Sequence, residues 1–353
     1  MEQKLDRTAV QEFARRLFGL YTDGVVTLLV EVGHRTGLFG ALAEGPGGSS
    51  DIAERAGLDE RYVREWLGAM ATARIVEYDP ASGRFTLPPE HGVCLTGTSS
   101  RNLAPGSQMV SLLARHVGEV AECFRSGGGV PYSAYKPGFT TAMDRSWRLL
   151  YDGLLVSRFL PLVDGLPDRL ESGIRVADLG CGTGHAVNVM ARAYPASTFV
   201  GYDFSEEAIR HAAAEASEMG LDNARFEVLD VTRLPAEPRF DLITSFDSIH
   251  DQRDPAPTLR RVAEALAPDG LYFMVEPKAS SRLEENIGNP FAPYIYGVSV
   301  LHCLTVSLAD GGAGLGTAWG EQTARRMLAE AGFGSVEVFD APGPQNSVYV
   351  CRP

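Results

Sequence analysis

Val176-Ala177-Asp178-Leu179-Gly180-Cys181-Gly182-Thr183-Gly184 decides the fold. Apolar residues around one acid read as a buried strand, and the Gly-x-Gly-x-Gly run reads as a tight turn opening a helix. Glycine serves where backbone must approach a ligand closely, because a Cβ would occupy that space. Around this turn, strands are expected at 174–179, 197–203, 224–230, 240–246 and 271–276, with helices near 185–194, 206–219 and 255–267. A last helix near 322–331 precedes strands at 335–339 and 347–351. Strand–helix alternation of this kind builds an open, largely parallel α/β sheet.

The amino-terminal part reads differently. Val10, Phe13, Leu17 and Leu20 recur at helical spacing, and 25–32 is so nearly all apolar that burial is expected. A helix at 51–56 ends at Gly57, and a second follows with Val63, Trp66, Leu67 and Met70 on one face. Two short helices about a glycine turn make a helix-turn-helix. The runs 75–78 and 84–87 flank a Pro-Ala-Ser-Gly turn, the layout of a β-wing. The expected organisation is a winged-helix domain over 1–95, a helical linker and substrate-pocket region over 96–170, and a catalytic domain over 171–353.

With 353 residues, 44% of them hydrophobic, the chain can bury a sizeable core. No apolar run stands out as a membrane span and the first residues do not read as a signal peptide, so the expected location is cytoplasmic. Cys94, Cys123, Cys181, Cys303 and Cys351 are scattered without metal-ligand spacing, and no metal is expected. A net charge of −13 disfavours a phosphate backbone as partner, since such affinity comes from Lys and Arg. Over residues 1–100 acidic residues outnumber basic ones fourteen to ten, which weighs against a transcriptional regulator.

A lone glycine turn also serves nicotinamide and flavin enzymes. Here Asp178 precedes the first glycine by two positions, and Asp203 ends the next strand, where a ribose-binding carboxylate belongs. The stretch resembles motif I of class I S-adenosylmethionine-dependent methyltransferases, over about residues 150–353. That resemblance implies a Rossmann-like sheet of seven strands, the last antiparallel, with S-adenosyl-L-methionine as cofactor. It assigns Gly180, Gly182, Gly184 and Asp203 to the methionine and ribose part, Phe204, Asp230 and Val231 to the adenine side, and Asp178 and Phe246 to the same site. An ordinary dinucleotide turn, or a fold without cofactor, is the alternative.

Asp247-Ser248-Ile249-His250-Asp251 follows the fourth expected strand, and ligands of open α/β sheets bind beyond the strand ends. An imidazole there can take a proton from a hydroxyl or ammonium. With Glu276 at the end of the fifth strand, the run resembles small-molecule O-methyltransferases, whose His base is oriented by such a Glu. That family also carries a winged-helix dimerisation domain, so a homodimer is implied. Gln252 stands where the family has Trp, and Glu321 is the nearest counterpart of its second Glu. The Leu301-His302-Cys303 run resembles actinobacterial-type methyltransferases of similar layout. The long segment 277–320 is expected to be a substrate lid, with Phe291, Tyr294, His302 and Trp319 in the pocket and Gly311–Gly316 as hinge. The expected function is methyl transfer to a small molecule at O or N. A winged-helix regulator, or a methyltransferase fold turned to non-methyl chemistry, are the rivals.

Overall fold

The computed structural model describes residues 5–237 and 239–353. The chain divides into two compact units between Ser111 and Leu112.

In the first unit, helix α1 (Arg7–Thr36) starts on the Asp6 carboxylate, which accepts from Thr8 N–H, and stops at Gly37 in the left-handed conformation. Helices α2 (Leu38–Ala43), α3 (Ser49–Ala56) and α4 (Glu60–Thr72) follow, then the antiparallel wing of β1 (Glu77–Asp79) and β2 (Arg84–Thr86). Leu38, Phe39, Leu42, Ile52, Leu67 and Met70 form its core, and Trp66 donates to the Leu29 carbonyl at 2.8 Å. Residues 25–32 are not buried as a block, contrary to expectation. Val25, Leu28 and Val32 are exposed on α1, because only one side of that helix meets the unit's core. The linker expected over 96–170 also divides. The Ala104–Gly106 turn packs on α1, whereas residues from 112 onward join the second unit.

The second unit holds a seven-stranded sheet: β3 (Arg175–Leu179), β4 (Thr198–Asp203), β5 (Ala224–Val228), β6 (Phe240–Phe246), β7 (Leu266–Pro277), β8 (Ser335–Asp340) and β9 (Asn346–Arg352). Its spatial order is β5-β4-β3-β6-β7-β9-β8, with β9 alone running antiparallel to its neighbours. Strand β7 starts earlier than the sequence pattern indicates, because Leu266 pairs with Phe240 ahead of an irregularity in the ladder. Successive side chains leave on opposite faces. Ala177, Ile243 and Met274 enter one core, while Val176, Leu242 and Val275 enter the other. Both faces are covered, which is why these strands read as continuous apolar runs.

Helix α5 (Gly138–Leu150) continues through a π-helical stretch, Tyr151–Phe159, and packs on α6 (His185–Ala193). Helices α7 (Glu206–Glu218) and α8 (Pro255–Ala265) complete the crossovers. After β7, the segment expected to be a lid is helical. A continuous run, Ala292–Ala309, is by length and composition apolar enough to cross a membrane, contrary to the expectation that no apolar run reaches that length. It buries Ile295, His302, Cys303 and Val306 within the unit. Nor is 311–316 a free hinge: a Cβ at Gly312 would lie 2.6 Å from Ser307 Oγ and one at Gly316 2.3 Å from Ser299 Oγ.

Gly184 caps α6 at φ +75°, and a Cβ there would lie 2.5 Å from both Ala212 Cβ and the Phe226 ring. Overpacking and left-handed strain each cost on the order of 1–3 kcal/mol. Gly184→Ala is therefore expected to destabilise the protein by about 2–4 kcal/mol in urea unfolding. A loss below ~0.5 kcal/mol would contradict this packing.

Candidate active site

Strand order reverses between β3 and β6, the place where open α/β sheets leave a crevice. A cavity of about 450 Å³ opens there. Gly180, Gly182 and Thr183 after β3, Asp203 and Phe204 after β4, Leu229, Asp230 and Val231 after β5, and Phe246, Asp247 and Ser248 after β6 line its floor. Gly180 N–H and Cys181 N–H donate to the Tyr202 carbonyl at 2.8 and 3.0 Å, which ties the turn to β4. Gly182 N–H donates to Asp203 Oδ2 at 2.9 Å, and Ser205 N–H to its Oδ1 at 2.8 Å. At Gly182, with φ +53°, a Cβ would meet no atom within 4 Å. Its side therefore faces open space, as a ligand cradle requires. Asp230 caps the next turn through Thr232 while lining the cavity.

Two residues expected to hold a cofactor do other work. Asp178 is 3% exposed and accepts from Thr244 Oγ1 at 2.6 Å, joining β3 to β6 behind the cavity. Burial pushes its carboxyl up to about 7. Gly184 is required by packing against α7 and β5 and does not line the cavity.

His250 stands one layer behind the wall formed by Ser248, Asp251 and Gln252. Its Nδ1 lies 2.6 Å from Glu276 Oε2, and its Nε2 lies 3.3 Å from Asp251 Oδ1. Glu276 is wholly buried and also accepts from Ile249 N–H at 2.9 Å and Trp319 Nε1 at 3.2 Å. Burial alone would lower the imidazole's pKa, but Glu276 and Asp251 outweigh it and hold His250 well above its ordinary 6.5. Asp247, a non-glycine residue at φ +54°, accepts from Asn346 at 3.2 Å, and burial pushes it up to about 7. Such local strain concentrates at functional sites.

None of the four residues expected in the substrate pocket lines this cavity. Trp319 is spent on Glu276. His302 is fully buried and stacked 3.5 Å from Phe139, which stands between it and the cavity; burial lowers its pKa to about 4. Tyr294 is about half exposed, with Asp247 and Cys303 near enough for their charges to act on its hydroxyl, and Phe291 is half-buried. Glu321 pairs with Arg325 at 2.7 Å rather than with His250. The opposite wall is instead Tyr132 with Phe139, Met143, Trp147 and Tyr151 from α5 and its continuation. Those last four recur every four residues, a single helical stripe that was legible in principle.

A methyltransferase-domain family matches residues 170–332, and an Rv2258c-like winged HTH domain matches residues 24–97. Aklanonic acid methyltransferase DauC from Streptomyces sp. (strain C5) is 34% identical over 150 residues, covering 41% of this chain and 67% of its own length. The chain belongs to the methyltransferase family. Nocamycin O-methyltransferase from Saccharothrix syringae is 33% identical over 141 residues, 38% of this chain and 50% of that one. The chain thus spans about half the length of several curated methyltransferases that it matches. A Nostoc punctiforme protein described as a putative O-methyltransferase shares the fold with TM-score 0.73 at 16% identity, over 96% of this chain and 98% of that one. Human N-acetylserotonin methyltransferase, solved in complex with SAM, does so with TM-score 0.69 at 17% identity, over 100% and 99%.

In this chain the aromatic wall is anchored by charge. Asp144 accepts from Thr183 Oγ1 at 2.5 Å and pairs with Arg148 at 3.0 Å. Arg148 in turn pairs with Glu215 of α7, which lies 3.0 Å from His185 Nδ1. Burial would raise Glu215, but hydrogen bonds from His185, Arg148 and Asn188 hold it near 2, below its ordinary 4.5. A depressed folded-state pKa stabilises above the unfolded value and is lost as pH falls through the window from 4.5 to about 2. Glu215→Gln is expected to flatten the stability–pH curve across that window in urea titrations. An unchanged slope would contradict the network.

Proposed function

We propose that this chain transfers a methyl group from S-adenosylmethionine to a hydroxyl of a small aromatic acceptor. The observation that carries this reading is the cavity itself, which joins the glycine turn and Asp203 to an aromatic wall. The cofactor fits the residues present. Gly182 leaves backbone open to it, Asp203 keeps lone pairs for ribose hydroxyls, and Phe204, Asp230 and Val231 flank the place for adenine. When bound, S-adenosylmethionine supplies an electrophilic methyl group on a sulfonium. Phe139, Trp147, Tyr151 and Phe246 offer flat apolar surfaces suited to a ring. Two relatives whose printed names contain aklanonic acid and nocamycin support a small-molecule acceptor.

Proton removal falls to His250. Glu276 accepts a hydrogen bond from Nδ1–H, which in the neutral ring leaves Nε2 as the acceptor atom. Asp251 lies on the cavity wall, 3.3 Å from Nε2, so a proton leaving the hydroxyl reaches the imidazole over that carboxylate. As the acceptor oxygen takes the methyl group, for which the cofactor's methyl–sulfur bond would break to leave a neutral thioether, the O–H bond breaks and its proton ends on Nε2. Glu276 and Asp251 hold the ring well above 6.5, so its neutral, proton-accepting form grows as pH rises above neutral. Nucleic acid is a poor partner, since on α4 Arg61 pairs with Glu65 and Arg64 with Glu60.

Opposite effects are expected from two variants. His250→Ala lowers kcat by ~10²–10⁴-fold and leaves calorimetric affinity for S-adenosylhomocysteine unchanged. Asp203→Ala weakens that affinity roughly 10–150-fold, as the loss of ~1.5–3 kcal/mol in charged hydrogen bonds requires. Unchanged kcat in the first would remove His250 as base, and unchanged affinity in the second would remove the cofactor assignment.

A homodimer through α1 belongs to the same proposal. Phe18, Tyr21, Val25, Leu28 and Val32 are all exposed and follow the three-and-four spacing of a helix-pairing seam. Sedimentation at micromolar concentration is expected to give twice the 38.0 kDa chain mass. Phe18→Glu with Val25→Glu is expected to give the monomer. A wild-type monomer would contradict the seam, and a salt-dependent shift of duplex DNA would favour the regulator reading.

A further inference from the structure

Cys303 has no part in the chemistry above, yet it points at its centre. It lies in the π-helical turn Ser299–Cys303, whose wider winding places the consecutive side chains of His302 and Cys303 both inside. His302 faces Phe139, whereas Cys303 faces His250. The Cys303 thiol, 3% exposed, has its Sγ within 4.8 Å of a ring nitrogen of His250 and of a carboxylate oxygen of Asp251. Asp251 Oδ1 is buried without a hydrogen-bond donor, its 3.3 Å approach to Nε2 being an ion-pair contact. Thr317 Oγ1, buried beside the thiol, has no partner other than that thiol. A thiol, an imidazole and an unsatisfied carboxylate oxygen converging on one point form a donor set for a cation.

We propose that His250, Asp251 and Cys303 bind a zinc-class divalent metal ion, and that the bound ion shuts off proton transfer. Mixed N, O and S donors suit zinc rather than magnesium or calcium, which prefer oxygen alone. Zinc bonds of about 2.0–2.3 Å in a tetrahedron place donor atoms roughly 3.3–3.6 Å apart. The Nε2–Oδ1 separation of 3.3 Å already meets that edge. Glu276 on Nδ1 supplies the outer carboxylate that metal-binding histidines commonly carry, and Ile249 N–H and Trp319 hold it in place. Asp251 lies on the cavity wall, which leaves the fourth position toward the cavity for water or an acceptor oxygen. On binding, the thiol proton is released to solvent as the metal–sulfur bond forms. The scattered cysteines concealed this set, because its ligands come from two segments far apart in sequence.

The ion would occupy the Nε2 lone pair assigned above to the acceptor's proton. The inhibitory part of the proposal therefore rests on His250 as base, whereas the binding part does not. The test is an anaerobic titration of the full chain with Co²⁺, read by absorbance, beside turnover with and without Zn²⁺. One equivalent is expected to bind tightly with a thiolate-to-cobalt charge-transfer band, and Zn²⁺ to stop turnover reversibly on chelation. Cys303→Ala is expected to lose the band, while Cys123→Ala keeps it. Asp251→Asn, which preserves side-chain shape, is expected to weaken binding at least tenfold. A band that persists in Cys303→Ala, or no band in the wild type, overturns the site. Tight cobalt binding with full turnover would leave the site standing and overturn both the inhibition and the base assignment.

Discussion

A carboxylate with no access to water, Glu276, organises the catalytic end of the sheet. An ionised group so placed is tolerated only when its lone pairs are met by donors. Three donors meet it, from two parts of the chain: Ile249 N–H and His250 after β6, and Trp319 ahead of the last helix. Satisfying one buried charge therefore fixes the turn after β6, orients the imidazole, and draws the segment beyond β7 back across the strand ends. The cost of leaving any donor unmet is on the order of 1–3 kcal/mol, which makes the arrangement stiff.

The second organising element is the turn after β3, where glycines do two separate jobs. Gly182 leaves a gap that a ligand can fill, and Gly184 removes a Cβ that α7 and β5 have no room for. From sequence both look alike, since the pattern records only that a side chain is absent. Asp178 is similar. Its position suggested a ligand contact, but its oxygen holds Thr244 and with it the neighbouring strand.

Much of the fold was legible because both covered sheet faces leave continuous apolar runs, bounded by turns and capped helices. The crevice followed from topology; Asp203, Phe204, Asp230, Val231 and Phe246, named through the family resemblance, line it, and Glu276 meets His250. What escaped depends on packing between distant segments. The wall from α5 carried a four-residue stripe that also describes any buried helix face. Phe291, Tyr294, His302 and Trp319 were grouped by composition, yet the helix with its π-turn aims Tyr294 and His302 differently, and Trp319 lies beyond it. Length and aromatic content mark a segment as substantial without saying which side faces a ligand.

The central claim is methyl transfer to oxygen inside this cavity. It is tested most directly by incubating the full chain with S-adenosylmethionine carrying a ¹³C-labelled methyl group and a panel of polycyclic phenols, and following ¹³C NMR. Label is expected to appear as a methoxy carbon on a phenol, at a rate that depends on enzyme concentration. Label moved to nitrogen, sulfur or carbon, or no transfer to any acceptor while the cofactor binds, would contradict it.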